Sequence, residues 1–379
     1  MHRNTRIDVL RGVAILMVML LHFTLAYRLG DSPLTRILPG PWLRAALLNG
    51  NYGVTMFFVV SGYLITSISM ERYGGLDHLS ARGFYAFRFA RILPPLLLAL
   101  TIIVPLGLLG RPSFRNAAQG AVLPRAFFLT VLLSILTFWH NLLMAARGYF
   151  NYALNIYWSL SVEEAFYLAF PLLCVGRKRQ RLLIAGCLLA LGAGPIYRQV
   201  HRGDEIRFMY GYLACFDAIA LGCLTALLAG RFDLDALRRP WVQAAAALGL
   251  ACTWLWGIEG HEAFGFSLVA LGTALLLVGA RRRGGGPEPP ARLPARLLRW
   301  LGGHSYELYL FHIIVLGLMK DLVPRTALSS GYKLPWLLLY LALSDGLAAL
   351  VAARFSEPLN AILRRRLAPQ ARPGIPASG

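Results

Sequence analysis

Apolar residues along this chain come in blocks about 20 long, separated by short stretches rich in Arg, Gly and Pro. A block of that length, at about 1.5 Å per helical residue, matches the ~30 Å hydrocarbon core of a bilayer and predicts a spanning helix. Ten such helices are predicted, at 8–28, 52–70, 92–110, 156–175, 182–198, 208–229, 241–258, 263–280, 304–320 and 335–355. A further apolar stretch, 126–144, is ambiguous, and the bias of Lys and Arg toward cytoplasmic loops decides it. If it does not cross and the N-terminus is inside, the clusters Arg177/Lys178/Arg179/Arg181, Arg231/Arg238/Arg239, Arg281/Arg282/Arg283 and Arg364/Arg365/Arg366 all fall in the cytoplasm. If it crosses, all fall outside. The expectation is an all-α polytopic membrane protein of about ten transmembrane helices. One re-entrant or interfacial segment lies on the outer side, and both termini are cytoplasmic, in the cytoplasmic (inner) membrane.

Of 379 residues, 57% are hydrophobic and 15% charged, and no polar stretch is long enough to bury a core of its own. One membrane domain, 1–366, with a disordered cytoplasmic tail, 367–379, is therefore expected. The run RRRGGGPEPPARLPARLLR, Arg281 to Arg299, reads as a flexible linker. A net charge of +20 might point to nucleic acid, but the arginines sit between apolar segments. There they act as topology signals and contacts to lipid headgroups, or bind an acidic cofactor. Cys174, Cys187, Cys215, Cys223 and Cys252 form no CxxC pair and have no His at ligand spacing, so they read as small buried residues, with no metal site expected.

The first helix, DVLRGVAILMVMLLHFTLAY, carries Arg11 and His22. Eleven residues bring both to one face, roughly 16 Å apart along the axis. An intramembrane charge marks a candidate functional site, although Arg11 near the end could snorkel and His22 could bond a neighbouring helix. The fourth helix contains WSLSVEEAFYLAFPLL, and Glu163 or Glu164 is expected level with His22. A carboxylate orienting an imidazole would make a general base, and a structural His–Glu bond between helices is the alternative. In FYAFRFARILPPL, Arg88 and Arg91 share a face at the cytoplasmic entrance, close in depth to Arg11. Three guanidiniums there suit a phosphate-bearing ligand, with Asp8 and Glu357 as salt-bridge partners. Asp217, His312 and Asp345 lie near the midplane and need internal partners, His312 with Asp345 being one pairing. Gly53, Ser61 and Gly62 read as close-packing positions, while His140 and Asn141 are weak candidates for the outer cavity.

RIDVLRGVAILMVMLLHF resembles the opening signature of the acyltransferase 3 family of integral membrane acyltransferases. The blocks NYGVTMFFVVSGYLI, FRFARILPP, IYWSLSVEEAFYLAFPLL, DAIALGCLTALL, LGGHSYELYLFH and FSEPL follow in the family's order, from Arg6 to about Leu363. The resemblance implies an acyl-CoA donor, commonly acetyl-CoA, on the cytoplasmic side, and transfer to a hydroxyl of a carbohydrate or similar acceptor. It implies Arg11 and His22 as the catalytic pair, Arg88 and Arg91 as the donor-binding pair, and Glu163 or Glu164 as an acidic functional residue. Some members continue into an esterase-like domain, whereas the match here is to the membrane domain alone. Many relatives place a basic residue just before Asp217, where this chain reads Ala-Cys-Phe.

The expected enzyme is thus a membrane O-acyltransferase with His22 as general base and acyl-CoA as donor. A covalent acyl-histidine relay is an alternative route. The rival is a transporter or flippase using the same intramembrane charges, against which no duplicated halves are visible.

Overall fold

The computed structural model describes residues 4–37, 39–174, 179–280 and 292–367. Helices occupy all ten segments marked by hydropathy: α1 Thr5–Tyr27, α2 Asn51–Tyr73, α3 Ala81–Leu108, α4 Trp158–Cys174, α5 Arg179–Val200, α6 Tyr212–Arg231, α7 Pro240–Trp256, α8 Gly265–Ala280, α9 Ser305–Leu322 and α10 Lys333–Val351. Among the described residues six stretches are long and apolar enough to cross a membrane unaided, those containing α1, α2, α3, α5, α6 and α10. Large side chains such as Leu188, Leu189, Ile196, Leu248 and Leu338 point outward from the bundle. Such a surface is stable in lipid and not in water. The protein is an all-α polytopic membrane protein; among the described residues the only strands are the two-residue pair Ala117–Ala118 and Ala121–Val122.

Local chemistry sets the ends of the helices that carry the site. The Asn4 side chain accepts from the amides of Arg6 and Ile7 and starts α1, and Arg28, in the left-handed region at φ 50°, stops it. The Lys333 ammonium at the start of α10 donates to the Arg28 carbonyl at 2.9 Å and satisfies that turn. Ser80 caps α3 by accepting from the Gly83 amide.

α6 is the central pillar, packed on α2, α5 and α8. Its crossing with α2 is as close as backbone permits. A Cβ at Gly62 would collide with the Ile219 carbonyl, and one at Gly222 with the Val59 carbonyl. With no hydrophobic gain from leaving lipid, such small-residue contact is what holds membrane helices together.

The ambiguous stretch 126–144 breaks into two short helices, Phe127–Leu136 and His140–Arg147, with Phe138 at φ 66° between them. Ten residues span only ~15 Å, too little to cross. His140 and Asn141 are buried in packing and line neither cavity described below. The Ser161 hydroxyl accepts from the His140 amide at 3.0 Å, and the Asn141 amide side chain donates to the Tyr210 carbonyl at 3.1 Å. This piece lies over the start of α4, so Trp158 begins inside the bundle.

The expected linker is partly helix. Residues 281–291 lie outside the described residues, as do 368–379 of the expected tail and Arg177 and Lys178 of one basic cluster, but Leu293–Gly303 is helical and packs along α1. Gly12 and Gly302 make the approach possible, since a Cβ on either would meet the backbone carbonyl of Leu298 or Asp8. Beyond α10 a π-turn, Ala352–Ser356, leads into the helix Glu357–Leu367, which folds back on α3.

Candidate functional site

Among the described residues, two cavities that enter the bundle each take one ionisable side chain from α1, Arg11 and His22. The first, of about 350 Å³, is lined by Arg11, Arg72, Arg88, Arg91 and Arg364, with Ser61 and Glu163 among them. α1, α2, α3 and the helix Glu357–Leu367 each supply a guanidinium. The Arg88 guanidinium lies 4.0 Å over the Tyr167 ring, and Arg72 lies 3.8 Å over Phe87. Aromatic faces hold these side chains in place while leaving their N–H groups to a ligand. Five guanidiniums against one lining carboxylate make this an anion site, and bidentate donors suit phosphate.

Glu163 and Glu164 have different surroundings. The Ser61 hydroxyl donates to Glu163 Oε1 at 2.7 Å, and Glu163 faces the arginines. Glu164 is 8% exposed and lines neither cavity. Neither fulfils the expectation of a carboxylate on His22. A helix α4 starting at the membrane surface would bring the glutamates level with His22; with residues 126–157 folded over it, Trp158 already lies at the level of the His22 cavity. Glu163, five residues further at about 1.5 Å each, reaches the arginine cavity instead.

The second cavity, of about 970 Å³, opens at the other end of α1. His22 lines it, together with Asn51, Tyr149, Asn151, Trp158 and Tyr210. Trp158 packs on Tyr210 with ring centroids 4.4 Å apart, and the Tyr149 and Tyr210 hydroxyls share a 3.0 Å hydrogen bond.

His22 Nδ1 lies 2.9 Å from His312 Nε2, with the rings stacked at 5.1 Å. His312 Nδ1 in turn lies 2.8 Å from the Leu308 carbonyl. A carbonyl can only accept, so His312 Nδ1 carries its proton there. In the neutral ring Nε2 is then an acceptor, and His22 Nδ1 must be the donor to it. The lone pair of His22 is thereby fixed on Nε2, the nitrogen a general base needs. Both nitrogens of His312 are committed, so the expected pairing of His312 with Asp345 does not form.

Asp217 is a structural residue. Arg198, fully buried, reaches it from α5 with Nη2 2.7 Å from Oδ2 and Nη1 3.2 Å from Oδ1. Ser267 and the carbonyls of Ala214 and Ala263 complete the shell. The basic partner of Asp217 in this chain thus comes from α5.

Sequence reasoning missed His312 as the partner of His22, and Arg72 and Arg364 as cavity residues. An intramembrane histidine at matching depth was the only signal for the first. The arginines were visible as loop charges alone.

A family profile described as an acyltransferase domain matches residues 4–352. Relatives include YrhL of Bacillus subtilis, 29% identical over 71% of this chain and 44% of that protein. O-acetyltransferase OatA of Staphylococcus aureus is 26% identical over 71% of this chain and 47% of its own length. Peptidoglycan O-acetyltransferase OatA of Listeria monocytogenes is 24% identical over 84% and 50%, respectively. The chain therefore spans about half the length of these relatives. No solved structure matches. With the profile covering nearly all of its helical core, the chain belongs to the acyltransferase 3 family of integral membrane acyltransferases.

Proposed function

We propose that this chain is a membrane O-acetyltransferase that takes an acetyl group from cytoplasmic acetyl-CoA and places it on a hydroxyl of a carbohydrate at the other face of the inner membrane. The observation that carries this reading is the division of labour between the cavities: anion-binding arginines in one, an oriented histidine in the other. The OatA relatives carry O-acetyltransferase in their names, which favours acetyl as the group and a glycan as the acceptor.

The residues present fit acyl-CoA. Arg11, Arg72, Arg88, Arg91 and Arg364 would hold its phosphates, and the bound thioester would supply the activated acyl carbon. The excess of Arg at this end favours a cytoplasmic position for it by the positive-inside rule. Glu163, tied to Ser61, would keep the arginine fan spread and orient Arg11 toward the acyl end.

Facing the other cavity, His22 Nε2 would take the proton of the acceptor hydroxyl as its oxygen bonds to the acyl carbon. The C–S bond breaks, and the proton passes from His22 to the departing thiolate. His312 would steady the imidazolium of this step by holding the ring through Nδ1. The aromatic faces of Trp158 and Tyr210, with Asn51 and Asn151 beside them, offer what a sugar needs, apolar stacking and a few placed hydrogen bonds.

The test is release of free CoA from acetyl-CoA by the protein in lipid, with a panel of glycan acceptors, wild type against His22→Ala. Acceptor-dependent release lost in the variant supports the reading. Equal release by His22→Ala removes the mechanism, and no release with any acceptor returns the weight to a transporter.

A further inference from the structure

The two cavities meet at a shared wall, since Val54 and Tyr309 line both. Val54 comes from α2 and Tyr309 from α9, one helical turn before His312, with the Tyr309 and His312 rings 6.1 Å apart. Behind them Phe58 on the arginine side meets Trp158 on the histidine side edge to face, centroids 5.9 Å apart. The Tyr309 hydroxyl is held on both sides of the chain that opens α4. It accepts from Ser159 Oγ at 2.7 Å and donates to the Ile156 carbonyl at 2.7 Å. The ring is 8% exposed. With both hydrogen-bonding roles of the hydroxyl filled and the ring packed, Tyr309 is restrained to small shifts about this position.

We propose that Tyr309, with Val54 opposite it, is the acyl-size selector of the enzyme. This rests on the acyltransferase reading above. An acyl group delivered from the arginine cavity to the acceptor oxygen beside His22 passes the wall that these two side chains share. Acetyl, with a single methyl beyond the carbonyl, passes by a small displacement of the ring. Each added methylene must be inserted into a packed wall, and close-packed interiors resist that volume. Until an acceptor fills the histidine cavity and the wall shifts, the same packing limits the access of water to the thioester and so restrains hydrolysis. Tyr309 therefore positions and selects; it takes no proton and forms no bond to the acyl group.

The experiment uses the full chain in lipid vesicles and reads free CoA from acetyl-, butyryl- and hexanoyl-CoA, with and without the best glycan acceptor. Wild type should prefer acetyl over butyryl by about tenfold or more, the discrimination a packed apolar site achieves. Tyr309→Ala should bring that ratio near one and raise acceptor-independent release several-fold. Val54→Ala, a smaller cut from the opposite side, should move both in the same direction and decides the matter if Tyr309→Ala does not fold. Tyr309→Phe keeps the ring and should keep the chain-length ratio. A wild type that uses butyryl as well as acetyl, or active wall variants with the wild-type ratio, overturns the selector while leaving the acyltransferase intact. A wild type that releases no CoA from any donor overturns both.

Discussion

His22 and His312 meet through Nδ1 and Nε2 at 2.9 Å, joining the first helix to the ninth across 290 residues of sequence. Because the Leu308 carbonyl fixes the His312 tautomer, the pair has a direction: proton from His22 Nδ1 toward His312, lone pair on His22 Nε2. In the proposed mechanism a second imidazole would do what a carboxylate does in many general-base pairs, without adding a fixed negative charge to the bundle interior. Burying such a charge costs several kcal/mol, about what an uncompensated carboxylate would lose in lipid.

His22→Ala should lower kcat by about two to four orders of magnitude, the usual worth of a positioned general base. His312→Ala should also lower kcat while leaving KM for the donor near wild type, since the arginine cavity is untouched. His312→Gln, whose side-chain oxygen can accept from His22 Nδ1, should recover part of the loss. Steady-state kinetics on the three variants check this, and a His312→Ala variant with full kcat would refute the pairing's role.

Arg364 lies beyond the segment matched by the family profile, yet it lines the arginine cavity. Arg364→Ala should raise the donor Kd about tenfold or more, the loss of one charge-assisted hydrogen bond of ~1.5–3 kcal/mol. Calorimetric titration with CoA measures it. The effect should shrink in high salt, where screening already weakens the wild-type contact.

Glu163 and Glu164 separate by the cavity they face. Glu163→Gln, which disturbs the bond to Ser61 among the arginines, should change donor KM several-fold. Glu164→Gln should leave donor KM within about twofold, because that carboxyl lines neither cavity; a comparison of the two saturation curves suffices.

The Arg198–Asp217 pair should behave as structural glue. Arg198→Ala leaves a buried carboxylate unpaired and should cost about 3–5 kcal/mol, and pairing it with Asp217→Ala should return part of that. Thermal unfolding in detergent gives both values. Gly62→Ala at the α2–α6 crossing should also destabilise, by about 1–3 kcal/mol. Gly192→Ala, with nothing within 4 Å of the new Cβ, serves as the silent control.

The sequence by itself determined the ten helical segments, the non-crossing character of 126–144 and the charged side chains that would need partners. These follow from local quantities: an apolar run long enough for a bilayer, a bias of Lys and Arg between runs, a charge too costly to face lipid. It also placed Arg11, Arg88 and Arg91 at one end, because rise per residue along a helix is fixed.

Only the tertiary structure decided which side chains meet. Depth along an axis leaves rotation and neighbour order free, so the sequence paired His22 with Glu163 or Glu164 where the structure sets it against His312. The burial of the 126–157 segment over α4 lowered both glutamates out of reach and left His312 at the right height. Likewise the run 293–299, which composition reads as linker, becomes helix because Gly12 and Gly302 let it pack against α1. Partner choice is a property of packing between helices far apart in sequence, and no window of residues carries it.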